Sequence, residues 1–409
     1  MQVINANGLK CLYQWKDTGV CSVRFLFNVG SLEEDEKIFG SAHYLEHMFF
    51  KGTKTKGYKK LNQELSKLGE YNAGTFQDKT VYYIDCLSTD FKKAFNLLAE
   101  MLFENQYKQS EFDKEKGVIL EECQMYLDSP SDYFQDNASL YAFGDLMHYI
   151  IGTKTTISDM SIKSLNQFKE KFYNGNNMVA MVVGKISEDD VKDCLIEMRK
   201  KYHSHFVGKQ TDTEFMKLKL AKQDVKFTHN SEQAHIAYFF PVLDLDWKKD
   251  TIPVAEIFEA GFGGGSFSIL FDEIREKMGL CYSISYWEQY CRGNVVMSLC
   301  SQLDRKNVGK ARGRIDKIIA KVKKEGFDKK TLEIAKQNSR FKLQRLLESA
   351  KGVCSLNMNY FSLGLFDVDK FYTDMLMVTN DEIIDYANKV LSDDKIFICM
   401  NGDKKCGKE

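Results

Sequence analysis

The pattern of apolar and polar positions along the chain predicts strands and helices in irregular alternation, the pattern of an α+β protein. Residues 20–29 (VCSVRFLFNV) and 80–87 (TVYYIDCL) are rich in β-branched and aromatic residues, as strands are. Between them, residues 41–51 and 59–68 place apolar side chains at helical spacing, and 91–103 and 112–127 read as two further helices. A buried strand over 178–183 (MVAMVV) precedes a helix over 187–201. The polar segment 203–214, which contains Gly208, reads as a linker or long loop. After it the pattern begins again. A strand over 235–241, a helix over 254–260, a helix over 266–278 ended by Gly279, and a strand pair at 281–287 and 294–300 are expected.

A faint internal repeat relates the two halves. Phe112-Asp-Lys-Glu-Lys resembles Phe327-Asp-Lys-Lys-Thr, and each follows a strand and a long amphipathic helix and opens another helix. In that register Glu115 and Glu122 fall on Lys330 and Gln337. The expectation is therefore two homologous domains, each an antiparallel or mixed sheet packed against several helices. The first spans 1–205, a linker spans 206–220, and the second spans 221–409 without the first copy's carboxylates or histidine pair.

Bulk properties narrow the function. Lysine plus arginine number 57 against 58 acidic residues, and no long single-sign block occurs, which argues against nucleic acid or an acidic membrane surface as partner. The basic stretches 51–60 and 321–324 read as solvated faces. Eleven cysteines, an odd number without any CxxC pair, suit free thiols in a reducing compartment rather than a disulfide framework. The first residues show neither a signal nor a transit pattern, and no apolar run approaches a membrane span, so a cytoplasmic setting is expected.

Candidate chemistry lies at His43-Tyr-Leu-Glu46-His47. At about 100° per residue, His43 and His47 stand about 40° apart on a helix, with Glu46 about 60° to the other side of His43. Two imidazoles at i and i+4 suit a tetrahedral zinc, and a catalytic zinc needs one further protein ligand and an open position. Glu46 is placed to take a proton from water. The third ligand is sought on 112–127, where Phe112, Val118, Ile119, Met125 and Tyr126 read as an apolar stripe with Glu115 and Glu122 in its middle. Carboxylates there need a cation, so either can be the ligand and the other its supporting neighbour. A structural zinc is disfavoured, because only three ligands are evident and none is cysteine.

His43-Tyr-Leu-Glu46-His47 followed by Glu115-x6-Glu122 resembles the inverted zinc motif of the pitrilysin and insulysin superfamily, and in chain length its mitochondrial-processing-peptidase-like branch. The resemblance implies the metallopeptidase α/β roll, one zinc per chain on His43, His47 and Glu122, Glu46 as base, and Glu115 assisting from behind the ligands. Asn72-Ala-Gly-Thr-Phe-Gln-Asp-Lys-Thr-Val-Tyr-Tyr83 is similar to the family's strand-edge segment. This implies substrate binding at Asn72, Ala73, Gly74 and Thr75. The run from Gly263 to Tyr282 resembles the second-half signature, which implies that Arg275 and Tyr282 bind substrate and stabilise the oxyanion. It also implies a four-domain chamber completed by a homodimer, with Arg275 and Tyr282 serving the opposite subunit, and peptides or unfolded segments as substrates. Two rivals remain at this point: a catalytically silent partner subunit, and the active half of a heterodimer.

Overall fold

The computed structural model describes residues 1–206, 219–241, 251–291, 294–359 and 368–402. The chain parts into two units. One comprises Met1–Met125, Met147–Thr213 and Leu346–Asn359; the other comprises Tyr126–Leu146, Glu214–Arg345 and Tyr360–Glu409.

The strands of the first unit are β1 (Gln2–Ala6), β2 (Leu9–Trp15), β3 (Val20–Phe27), β4 (Gly69–Thr75), β5 (Thr80–Leu87) and β6 (Met178–Gly184), in the order β1-β2-β6-β3-β5-β4. Only β2 and β6 run parallel. Central β3 and β6 are covered on both faces, so β6 is a continuous apolar run, and β3 is buried along nearly its whole length with Ser22 and Arg24 among its apolar residues. β4 lies at the sheet edge, and its half-exposed Glu-Tyr-Asn-Ala-Gly-Thr reflects that place. Its first residue meets β5 closely: a Cβ on Gly69 would lie 2.0 Å from the Asp85 carbonyl oxygen. The helices in this half of the chain are α1 (Ser41–Phe49), α2 (Tyr58–Leu68), α3 (Phe91–Phe103), α4 (Gln109–Asp128), α5 (Pro130–Phe143), α6 (Lys154–Asp159), α7 (Ile162–Phe172) and α8 (Glu188–Lys201).

The second half supplies β7 (Val225–His229), β8 (Ala234–Phe239), β9 (Cys281–Cys291), β10 (Asn294–Leu303) and β11 (Ile396–Gly402), ordered β7-β11-β8-β10-β9. Its helices are α9 (Ile252–Phe262), α10 (Val308–Glu325), α11 (Lys329–Leu347), α12 (Ala350–Asn359), α13 (Val368–Met377) and α14 (Asn380–Val390). Strand for strand, this sheet repeats β2-β6-β3-β5-β4, again with one parallel pair, β7 with β11. The two sheets are thus copies of one topology, which substantiates the two-domain α+β reading.

The units depart from a simple split at the linker. α5 belongs to the second unit, where it packs on β8 and β11. α12 belongs to the first, where it packs on β3 and β6. In the shared topology these are the same two strands, so the halves exchange equivalent helices. Most of 206–220 lies outside the described residues.

Three local expectations are corrected. The segment 266–278 is helical only over 269–276, as a wide turn at Phe271–Glu276. Residues 266–268 form a turn instead, in which the Ser268 N–H donates to the Gly265 carbonyl and the Ser268 hydroxyl accepts from the Phe271 N–H. On α4 the buried line is Phe112, Glu115, Ile119 and Cys123, whereas Val118 and Met125 are exposed. Finally, Phe112 lies inside α4 while Phe327 precedes α11, so the repeated motif opens its helix in only one copy.

Candidate metal centre

α1 is a core helix first. Ser41, Ala42, Tyr44, Leu45, Met48 and Phe49 are buried, which leaves His43, Glu46 and His47 on its remaining side. Its start is fixed by Gly40, at φ +95°, a left-handed conformation that glycine adopts without strain. The Glu34 side chain accepts from the Gly40 and Ala42 N–H groups, at 2.7 Å each, and so satisfies two donors of the first turn. The Tyr44 hydroxyl donates to the Phe112 carbonyl at 2.8 Å, and the two rings stack, which joins α1 to α4.

Across this junction, His43 Nε2 lies 3.8 Å from Glu122 Oε1 and His47 Nε2 lies 3.6 Å from Glu122 Oε2. These gaps exceed hydrogen-bond length. They approach the roughly 3.4 Å that separates two donors held about 2.1 Å from one tetrahedral ion. The three donor atoms lie within 4.8 Å of one another, and among the described residues no other trio of His, Cys, Asp or Glu does so. The donor set therefore fits zinc.

The atoms behind the donors keep the imidazoles ready. His47 Nδ1 is 2.8 Å from Glu115 Oε1; a proton there, donated to the carboxylate, leaves Nε2 as the free lone pair. The other oxygen of Glu115 is 2.5 Å from Lys51 Nζ. Burial would raise the Glu115 carboxyl, but hydrogen bonds from His47 and Lys51 outweigh it and hold it below the usual range. Burial, with His47 alongside, pushes His43 down to about 3, so its ring is neutral and can ligate. Glu46 and Glu122 are both raised, chiefly by burial. At Glu46 a counter-pull comes from Thr75, whose hydroxyl donates to Oε2 at 2.5 Å.

Every candidate site residue read from the sequence lies among the described residues. His43, Glu46, His47, Glu115 and Glu122 come together between α1 and α4. Asn72, Ala73, Gly74 and Thr75 lie on β4, paired on one side only, with Tyr83, Tyr82, Val81 and Thr80. Arg275 and Tyr282 lie in the second unit, at the wide turn and the start of β9, with the guanidinium 5.2 Å from the Tyr282 ring centre. Sequence reasoning missed Lys51 and Glu34. Lys51 was grouped with the solvated stretch 51–60, yet its position four residues after His47 was the available signal. Lys56 in that stretch is also ion-paired, with Glu100 at 2.6 Å.

A two-unit α+β fold with a His-His-Glu zinc-type centre on two helices defines the class as metallopeptidase-like. Residues 11–153 match the insulinase (peptidase family M16) model, and residues 159–339 match the peptidase M16 inactive domain. The chain belongs to peptidase family M16. It is 28% identical over 372 residues to the uncharacterized zinc protease YmxG of Bacillus subtilis, covering 89% of each chain. An uncharacterized zinc protease of Rickettsia felis is also 28% identical, over 94% of this chain and 93% of its own. In fold, the chain matches the crystal structure of a Helicobacter pylori protease with a TM-score of 0.86 at 22% identity, over 98% of this chain and 99% of the other. No helix among the described residues is long and apolar enough to cross a membrane.

Proposed function

We propose that the chain is a zinc-dependent endopeptidase, with one zinc held by His43, His47 and Glu122. The observation that carries this reading is the convergence of those three donors beside Glu46 on the same helix. When bound, the ion supplies Lewis acidity, activating water and polarising the scissile carbonyl. Glu46 removes the proton from the attacking water and returns it to the leaving amine. Its burial favours this cycle, because a carboxyl raised above the usual range holds a proton long enough to deliver it. Glu115 keeps the His47 ring oriented through Nδ1.

The substrate lies extended as an added strand beside Asn72 to Thr75, on the open edge of β4, so backbone hydrogen bonds supply affinity with little demand on sequence. Arg275 and Tyr282 stabilise the developing oxyanion from the opposite subunit of a homodimeric chamber, which admits peptides and unfolded segments. The nine cysteines whose side chains are described are all free, in keeping with a cytoplasmic setting.

The test compares purified wild type with Glu46→Gln on a quenched fluorescent peptide, with zinc measured by mass spectrometry. Zinc in both and cleavage only in wild type is the expected result. Equal cleavage by Glu46→Gln would remove the base, and wild type without zinc would remove the metal centre. A dilution series in which specific activity persists for a demonstrated monomer would remove the dimer.

A further inference from the structure

Thr75 is the last residue of β4, and its side chain points to the face on which α1 packs. Strand alternation puts Tyr71 and Ala73 on that same face, and Tyr71 indeed bonds Asn62 of α2 there. A threonine hydroxyl has one proton, and here it goes to Glu46 Oε2 at 2.5 Å, a length typical of a hydroxyl donating to a charged oxygen. Threonine is stiff at χ1, so the hydroxyl is an arm of fixed direction set by the β4 backbone. With Oε2 occupied, Oε1 is the Glu46 oxygen left to face a water.

We propose that Thr75 is a positioning residue for the general base. It selects which oxygen of Glu46 works, and it ties the alignment of that oxygen to the edge strand on which the peptide docks. The inference rests on the endopeptidase reading and deepens it. A substrate that pairs fully with β4 steadies the base, whereas one too short to pair as far as Thr75 leaves the base less well held. The same bond thus gives an extended peptide a faster chemical step, in addition to tighter binding.

The experiment uses the zinc-loaded full-length chain and two peptides, one spanning β4 and one truncated on the side that would pair with Thr75. Thr75→Val keeps the shape and the backbone but removes the donor. Its kcat on the long peptide should fall about 10- to 100-fold, the kinetic equivalent of one hydrogen bond to a charged group, with KM and zinc content unchanged. Thr75→Ser should recover most of the loss. The advantage of the long peptide in kcat should shrink in Thr75→Val.

A Thr75→Val enzyme with wild-type kcat, or one that loses only KM, would overturn the inference while leaving the endopeptidase reading intact. Loss of zinc or a lowered unfolding midpoint in both Thr75→Val and Thr75→Ser would also overturn it, by making Thr75 merely structural. Wild type that fails to cleave either peptide would overturn the endopeptidase reading itself.

Discussion

Removing the Glu34 side chain should loosen the helix that carries both histidines, although Glu34 lies outside that helix and bonds none of the residues assigned chemistry. Its two oxygens take the N–H groups of Gly40 and Ala42 at 2.7 Å, and the side chain is wholly buried. Glu34→Ala leaves two buried donors without a partner, each costing about 1–3 kcal/mol. With about 3 kcal/mol as a working total, the unfolding midpoint of a unit of this size should fall roughly 6–12 °C. Glu34→Gln retains one acceptor oxygen and should lose about half as much. Because His43 is the third residue of α1, zinc affinity should drop along with stability. Scanning calorimetry of apo and zinc-loaded protein, with zinc titrated against a chromogenic chelator, gives both numbers. A shift below about 2 °C in Glu34→Ala, with unchanged zinc affinity, would show that water or a rearranged turn satisfies these donors and that the cap is dispensable.

Three further outcomes are expected. Glu115 is held below the usual carboxylate range, so its contribution to stability is present above the unfolded value of about 4.3 and is lost as pH falls through the folded one. In Lys51→Met the stability lost between neutral pH and pH 3 should therefore be smaller than in wild type. Urea unfolding across pH checks this, and parallel curves would contradict it. Gly69→Ala places a Cβ 2.0 Å from the Asp85 carbonyl oxygen, so the start of β4 must separate from β5. Amides of 69–75 should lose hydrogen-exchange protection and cleavage should collapse; protected amides would refute the clash. Chelation should stop cleavage and lower the midpoint, since zinc at 100 times its Kd adds about 2.7 kcal/mol. Far-UV dichroism should stay unchanged, because α1 is packed into the core without it. Cleavage surviving complete metal removal would count against zinc catalysis.

Much of this architecture was legible, for identifiable reasons. Strands β3 and β5 and helices α2 and α3 were readable within a residue or two at each end, because the strands are rich in β-branched and aromatic residues and the helices carry their apolar residues at helical spacing. The convergence of His43, His47 and Glu122 was legible because histidine is rare in this chain and the pair has helical spacing. The N-terminal hairpin was not read, although Asn7-Gly8, both at positive φ, joins β1 to β2 and is a strong hairpin signal. The stripe on α4 was misjudged because apolar Val118 and Met125 lie on its solvent side. Lys51 escaped because one lysine among several looks solvated, and only the fold brings Glu115 to it. The helix exchange has no local signature, since it depends on which sheet a helix covers rather than on the helix itself.

That exchange bears on why a silent copy persists. A fragment ended before the linker would retain β3 and β6 but lack α12, leaving Arg24 without the Lys351 carbonyl it donates to at 3.2 Å. The remaining piece would likewise lack α5 over β8 and β11. Each half is therefore roofed by a helix from its sibling, a dependence separate from any chemistry the second half supplies. Engineering that trims the chain to its reactive portion would have to graft a substitute roof before anything else.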